Sequence, residues 1–161
     1  MSLNRLKEFL DSQHIKYVVI SHSVAYTAQG IAALTHIPGK DLAKTVVVRI
    51  DGKLALAVVP ASCKLDLALL KTATRATTIA LASEAEFRAS FPDCETGAMP
   101  PFGNLYDMAT FVDERLSRDK EIAFNAGTHR ELIRLAWDDF ERLAKPSVLK
   151  LATGRGGARA A

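Results

Sequence analysis

Residues 42–59 place the strongest constraint on how this chain folds, because they hold two runs rich in valine, leucine and alanine joined by Asp51-Gly52. An Asp-Gly pair suits the two-residue type I′ turn of a β-hairpin, since both turn positions need a positive φ. The register of such a hairpin puts Lys44 on the same face as Lys53. That face also carries Val46, Val48, Ile50, Ala55, Ala57 and Val59. The opposite face is apolar too, so the pattern predicts a central sheet that is covered on both faces or barrel-like.

The remaining segments show helical and extended patterns in turn. Apolar residues at helical spacing predict helices over the first dozen residues and at 28–34, 65–70, 84–91 and 138–144, with Thr27 and Ser83 as caps. Runs rich in β-forming residues predict strands at 17–20, 109–112, 121–125 and 132–135. The expected fold class is therefore α+β, a mixed, barrel-like β-sheet surrounded by helices.

Length and composition fit one globular domain. The chain has 161 residues, of which 48% are hydrophobic and 24% charged, enough for a core without disulfides or metals. We expect a single domain at 1–152 and a disordered tail at 153–161, whose glycines, alanines and arginines have little to bury. The formal net charge of +3 is too small for a protein that holds nucleic acid by charge alone.

Missing motifs disfavour several kinds of site. Cys63 and Cys94 form no C-x-x-C pair, and the chain has no H-E-x-x-H, no G-x-S-x-G and no glycine-rich nucleotide motif, so we expect no metal and no cofactor. The amphipathic start lacks the apolar core of a signal peptide, and no segment is apolar enough to span a membrane. We therefore expect a cytoplasmic protein with no membrane partner.

Lys44 is the most informative residue, because it places an ammonium group on an apolar face. Lysine is rarely buried without a partner, and no acidic residue occupies the register positions around it. One interpretation is that Lys44 receives an external anion, such as a phosphate or a polarised carbonyl. The alternative is a strand-end lysine whose ammonium reaches water, and the pattern alone favours neither.

Three loops carry further groups that can bind a substrate. The glycines and prolines between Gly97 and Gly103 shape a backbone whose N–H groups can face an oxyanion or a phosphate, although a rigid surface crossover is the commoner use. The segment 125–129, Asn-Ala-Gly-Thr-His, can position water or hold a ribose, and a turn with a satisfied histidine explains it equally well. Similar groups, for which helix capping is the simpler explanation, occur at His22, Tyr26 and Thr27.

Taken in order, these motifs resemble those of a known family. Ala43-Lys44-Thr45, the loop at 97–103 and the segment 125–129 resemble the YbaK/prolyl-tRNA synthetase-associated domains, which are aminoacyl-tRNA editing domains. The resemblance extends from about residue 3 to residue 151. It implies a barrel-like mixed sheet wrapped by helices, and an enzyme that hydrolyses the ester of a wrongly charged tRNA.

The resemblance also implies roles for individual residues. Lys44 matches the family's catalytic lysine, which is thought to hold the terminal adenosine's phosphate or the ester. Gly97, Pro101 and Gly103 match a loop whose backbone faces the aminoacyl carbonyl, and His129 matches a histidine that lines the amino-acid pocket in the alanine-editing branch. The expected substrate-binding set is Tyr26, Thr27, Gly97, Ala98, Met99, Pro101, Phe102, Gly103, Gly127, Thr128 and His129.

The function expected is that of a free-standing deacylase acting in trans on a small amino acid, namely Ala, Cys, Ser or 2-aminobutyrate, on tRNA-Pro above all. An aminoacyl ester is already activated, so the protein mainly positions it and stabilises charge. Ala98 replaces a second glycine of some members, so the amino-acid preference does not carry over. The expected partners are the tRNA acceptor end and, as a further candidate, a synthetase, with phosphate contacts at Lys145, Lys150, Arg155 and Arg159.

Two alternatives stay open from the sequence. One is a non-catalytic module that binds tRNA ends or a synthetase, and the other is a hydrolase of some other small activated ester. The sequence gives no indication of the oligomeric state.

Overall fold

A computed structural model describes residues 2–154 of the chain. Its strands are β1 (Tyr17–Ser21), β2 (Leu42–Ile50), β3 (Lys53–Pro60), β4 (Lys64–Leu65), β5 (Ile79–Leu81), β6 (Ala109–Asp113), β7 (Glu121–Asn125), β8 (Glu131–Ala136), β9 (Ser147–Leu149) and β10 (Ala152–Thr153). Its helices are α1 (Ser2–Ser12), α2 (Ala28–Thr35), α3 (Leu67–Thr74), α4 (Glu84–Phe87) and α5 (Trp137–Ala144). Within residues 2–154, no helix is long and apolar enough to cross a membrane.

The strands form one large mixed sheet and one small one. The large sheet has the order β1-β8-β7-β2-β3-β6-β9, and β5 also pairs with β2. Strand β2 is antiparallel to β3 and parallel to β7, while β4 and β10 pair with each other. The predicted α+β class is confirmed. The sheet is barrel-like only in a loose sense, because its path ends at β1 and β9 instead of closing.

The predicted hairpin is present in the predicted register. Lys44 pairs with Val59 at one end, and Ile50 pairs with Lys53 at the other. Asp51 and Gly52 have φ values of 48° and 85°, as a type I′ turn requires. The Asp51 carboxylate accepts two backbone N–H groups from the segment before β5, so the turn is also tied to the next strand.

Helices cover both faces of β2 and β3, which explains why both faces are apolar. The face that carries Lys44 packs against α2 and α3, through Ile31 and Leu70. The opposite face packs against α1, α4 and α5. Their buried contributions to that face include Leu6, Leu10, Phe87, Trp137, Phe140 and Leu143.

Some predicted boundaries were wrong for local reasons. The helix predicted at 65–70 begins at Leu67, because residues 64–65 pair as β4 and the Asp66 side chain caps the helix by accepting the Leu69 N–H at 3.1 Å. The helix predicted at 84–91 keeps its capping box at Ser83 but gives way to a 3-10 turn after one α-helical turn. Strands β5 and β9 were not predicted, because three residues are too few to show alternation.

The domain continues past the predicted boundary at residue 152. Thr153 pairs with β4, and the Gly154 carbonyl accepts a hydrogen bond from Arg115 Nη1 at 2.6 Å. The predicted tail therefore starts too early by at least these two residues. The rest of that tail, residues 155–161 with Arg155 and Arg159, lies outside the described residues.

Two carboxylates meet beside Lys40, just before β2. Lys40 Nζ lies 2.7 Å from Asp41 Oδ1 and 3.7 Å from Asp119 Oδ1. Burial raises the pKa of Asp119 to about 6; Asp41 adds to the rise, and Lys40 opposes it. Ionised Asp119 is therefore less favourable in the folded state than in the unfolded chain.

Asp119→Asn should stabilise the protein more at about pH 7.5 than at about pH 4.5. A carboxyl group with a raised folded-state pKa holds its proton more tightly when folded, so its contribution to the free energy of unfolding falls as pH rises from about 4 to about 6. We expect the advantage of the variant to grow by on the order of 1 kcal/mol over this range, as measured by urea unfolding. The exposed Glu8→Gln change is the control, and a pH-independent effect of Asp119→Asn would contradict the assignment.

Candidate functional site

The edge of β2 is interrupted between two neighbouring strands. The parallel ladder with β7 stops after Ala43 pairs with Phe124. Strand β5 joins the same edge only at Val48, after a single bond from the Ala82 N–H to the Val47 carbonyl at 3.0 Å. Residues 44–46 therefore have a strand neighbour only on the β3 side. A cavity of about 280 Å³ lies along this gap.

The cavity brings together residues from several distant segments. Of the predicted site residues it is lined by Tyr26, Lys44, Gly97 and Met99. Most of the remaining wall is apolar, and none of the lining residues is acidic. The lining residues outside the expected catalytic and substrate-binding set are Ile31, Leu42, Ala43, Thr45, Val46, Val47, Leu81, Ala82, Phe87 and Asn125.

The ammonium group of Lys44 is half-buried and weakly held. Its one hydrogen bond within the described chain is a long one of 3.4 Å to the Cys63 carbonyl. Among residues 2–154, no carboxylate forms an ion pair with Lys44. Burial lowers the pKa of Lys44, and Lys64 acts in the same direction, whereas Cys63 opposes them. Lys44 is thus neither freely solvated nor neutralised by a carboxylate of the described residues.

Hydrogen bonds join the loops that surround the cavity. The Gly127 N–H donates to the Ala98 carbonyl at 2.9 Å, and the Glu95 N–H donates to the Gly127 carbonyl at 2.8 Å. The Glu95 carboxylate accepts the His129 N–H at 2.7 Å. The Ala25 N–H in turn donates to the His129 carbonyl at 3.3 Å. The three loops singled out in the sequence therefore form one connected frame, with Glu95 as a link that the sequence analysis missed.

His129 supports the loop that carries Gly97. Its Nε2 donates to the Thr96 carbonyl at 2.8 Å, and its ring packs against Tyr26 with centroids 4.8 Å apart and the ring planes tilted by 57°. A Cβ at Gly97 would lie 3.4 Å from the imidazole Cε1. His129 is buried and is not among the residues that line the cavity. The contact with the bound amino acid implied by the family resemblance stays a prediction.

Gly97 presents a weakly satisfied N–H group at the cavity. Its φ of +89° lies in the region that favours glycine. Its N–H has the Met99 thioether sulfur as acceptor, at 3.2 Å. Because a thioether is a weak acceptor, this N–H is able to turn to a stronger one, such as a developing oxyanion.

The other half of the glycine-proline loop lies beneath the site. Phe102 is fully buried, and its ring packs edge-on against Phe124 and Phe140. The Gly103 N–H donates to Thr110 Oγ1 at 3.0 Å, and a side chain at Gly103 would overlap β6 and the residue before it. This packing gives Phe102 and Gly103 a supporting role, and the substrate contacts expected of this half of the loop stay a prediction. Four residues of this loop that belong to the expected substrate-binding set do not line the cavity, namely Ala98, Pro101, Phe102 and Gly103.

Two further predicted residues act as local caps. Thr27 Oγ1 accepts the Gly30 N–H at 3.0 Å at the start of α2. Thr128 Oγ1 accepts the Arg130 N–H at 3.2 Å. Neither residue lines the cavity, so the capping interpretation describes Thr27 correctly.

Comparisons with known proteins identify the family. Residues 22–143 match the aminoacyl-tRNA editing domain family. The chain is 27% identical over 150 residues to the multifunctional Ser/Thr-tRNA deacylase ProXp-y of Escherichia coli (strain K12). The aligned residues make up 90% of this chain and 89% of that protein.

Solved structures share the fold. One, described as a candidate trans-editing enzyme for prolyl tRNA synthetase, has a TM-score of 0.82 at 23% identity and covers 95% of this chain and 98% of its own. Another, described as hypothetical protein APE2540, has a TM-score of 0.83 at 17% identity and covers 92% of this chain and 99% of its own.

The fold, the cavity and these matches together define an aminoacyl-tRNA deacylase, an enzyme that hydrolyses the ester between an amino acid and a tRNA. The chain belongs to the aminoacyl-tRNA editing domain family. The resemblance read from the motifs at Lys44, 97–103 and 125–129 is thereby confirmed.

Gly97→Ala should lower both stability and deacylation. The positive φ alone should cost about 1–2 kcal/mol. The new methyl group also contacts His129, 3.4 Å from Cε1, so relief of the backbone strain moves the loop that lines the cavity. Urea unfolding and single-turnover deacylation measure the two effects.

Gly52→Ala is the matched control, because Gly52 has a φ of +85° and nothing within 4 Å of the added methyl. We expect it to lose similar stability and keep full activity per folded molecule. Equal activity losses in the two variants would show that the Gly97 loop has no special part in the reaction.

Proposed function

We propose that this protein is a free-standing editing enzyme that removes a small, wrongly attached amino acid from tRNA in trans. The observation that carries the proposal is the half-buried Lys44 ammonium, which reaches a substrate-sized cavity without a carboxylate partner in the described chain. We place the reaction in the cytoplasm, on the acceptor end of tRNA-Pro above all. A synthetase partner is not needed for the chemistry.

The proposed reaction needs no protein nucleophile. Water adds to the ester carbonyl carbon, the ester C–O bond breaks, and a proton passes to the departing ribose oxygen, so that free amino acid and intact tRNA result. Negative charge develops on the carbonyl oxygen, where the Lys44 ammonium supplies positive potential and the Gly97 N–H exchanges its Met99 acceptor for the oxyanion. The neighbouring ribose hydroxyl of the substrate can orient the water.

Substrate size is limited by the cavity walls. Ile31, Leu42, Phe87 and Met99 are apolar and buried, and they form walls that come from four different segments of the fold. Larger amino acids have to be excluded by steric overlap with these walls, because attraction to one methylene group supplies only about 1–3 kcal/mol of discrimination. We therefore assign Ala, Cys, Ser and 2-aminobutyrate as substrates. The relative's description as a Ser/Thr-tRNA deacylase favours testing threonine as well.

Cations near Lys44 are suited to the RNA phosphates. Arg115 Nη1 lies 2.8 Å from the Cys63 sulfur, and the Cys63 carbonyl is the group that accepts from Lys44. The exposed Lys64 follows directly in the chain. We assign these residues to the phosphates of the tRNA acceptor end. Contacts with phosphates position an RNA strand without any contact with its bases. Lys145 and Lys150 are also exposed and stay candidates for outer contacts.

Lys44→Met should abolish most deacylation while the protein stays folded. The change keeps an unbranched apolar stem and removes the charge, so we expect a loss of roughly 100-fold or more in kcat/KM. Stability should stay equal or rise, because a partly desolvated charge is removed. The assay is release of amino acid from tRNA-Pro carrying alanine, serine, cysteine, 2-aminobutyrate or threonine, with enzyme at catalytic concentration.

Lys53→Met is the control, since Lys53 lies on the same face at the far end of the same hairpin and is exposed. It should keep wild-type activity. Saturable tRNA binding with no turnover of any of these substrates would refute the enzyme and favour a binding module. Rapid hydrolysis of a small ester that lacks a nucleotide, with no preference for tRNA, would favour the general esterase.

A further inference from the structure

Thr45 occupies the position where the hydrogen-bond ladder of β2 is broken. The Leu42 carbonyl accepts from Ala61 on the β3 side at 2.8 Å, whereas the Val47 carbonyl accepts from Ala82 on the other side at 3.0 Å. Because backbone groups alternate between the two edges of a strand, the N–H and C=O of Thr45 point into the gap. The ladder with β7 ends at Ala43, so no strand within residues 2–154 pairs with them there.

Two side-chain oxygens at the same cavity also have no hydrogen-bond partner in the part of the chain that the structure describes. Thr45 Oγ1 and Asn125 Oδ1 are buried, and neither has a hydrogen-bond partner within residues 2–154. Both residues line the cavity. Buried polar atoms are nearly always hydrogen-bonded, so two unpaired oxygens on residues that line one cavity point to a ligand that supplies the missing hydrogens.

The unpaired acceptor oxygens indicate that the ligand carries a hydrogen-bond donor group. The cavity offers three oxygen acceptors, one from the Thr45 backbone and one from each side chain, and none of its lining residues carries a carboxylate. The α-amino group of an aminoacyl ester is a compact group with two or three N–H donors. Its pKa is well below that of lysine, so it can bind as the neutral amine beside Lys44 with little charge repulsion.

We propose that Thr45 and Asn125 bind the α-amino group of the aminoacyl ester. This inference rests on the proposed function and adds the residues that recognise the amino-acid end of the substrate. Holding the amine at the broken edge of β2 directs the adjacent carbonyl toward Gly97 and Lys44, which line the same cavity. The enzyme therefore distinguishes an aminoacyl ester from a plain acyl ester of the same size.

Four esters on tRNA-Pro separate the amino group from a side-chain hydroxyl. Alanyl and seryl esters carry the amine, and propionyl and 3-hydroxypropionyl esters are their counterparts without it. Each rate is divided by the uncatalysed hydrolysis rate of the same ester, because the amine itself activates an ester. Wild-type enzyme should prefer the amine-bearing member of each pair by at least roughly tenfold after this correction.

Thr45→Val and Asn125→Leu should each reduce that preference several-fold by slowing only the alanyl and seryl esters. Thr45→Val should not lower the unfolding free energy, since Oγ1 has no partner to lose. Thr110→Val is the matched control, because Thr110 lies in a strand outside the cavity and its Oγ1 accepts the Gly103 N–H. It should lose stability and keep the wild-type preference.

The outcomes separate this inference from the function on which it rests. Hydrolysis of all four esters with no preference for the amine, or a preference unchanged in both variants, overturns amine recognition and leaves the deacylase intact. Amine recognition is also overturned if the two variants slow the seryl and 3-hydroxypropionyl esters and spare the other two. Thr45 and Asn125 would then bind the hydroxyl of the amino-acid side chain. No hydrolysis of any of the esters by the wild type refutes both proposals.

Discussion

The interrupted hydrogen-bond ladder of β2 is the feature on which the site depends. A central strand normally has neighbours along both edges, and an unpaired edge inside a domain leaves polar backbone groups without partners. Here β7 covers the start of the edge and β5 covers its end. The segment between them carries Lys44 and Thr45 and opens onto the cavity. The site is thus built from a missing piece of sheet, with rigid strands on either side of it.

The loops complete the cavity by supporting one another. Glu95, Ala98, Gly127 and His129 are joined through backbone bonds and one carboxylate, so each loop limits the conformations of the others. Such a frame suits a reaction that relies on fixed dipoles and charge instead of a nucleophile, because preorganised groups need no rearrangement as charge develops. The loop at 97–103 has two roles, because Gly97 lines the cavity while Phe102 packs in the core.

The position of Lys44 illustrates how far the sequence leads. Alternation and the Asp51-Gly52 turn correctly placed it on an apolar face opposite Val59. Those patterns did not distinguish a solvated strand end from a half-buried cation, because the difference depends on where Cys63 and the carboxylates of the chain lie. Likewise, Phe102 looks like a loop residue in the sequence, and only the aromatic cluster around it shows that it belongs to the core.

The sequence by itself determined the hairpin, its register, the caps at Thr27 and Ser83 and the family motifs, since all of these depend on residues close together in the chain. Tertiary structure alone decided that β7 and β5 leave a gap beside β2, and that Asn125 lies next to it. Short strands such as β5 carry too little local pattern to be detected. Their pairing partners are chosen by packing across the whole domain, so the cavity has no signature in any single segment.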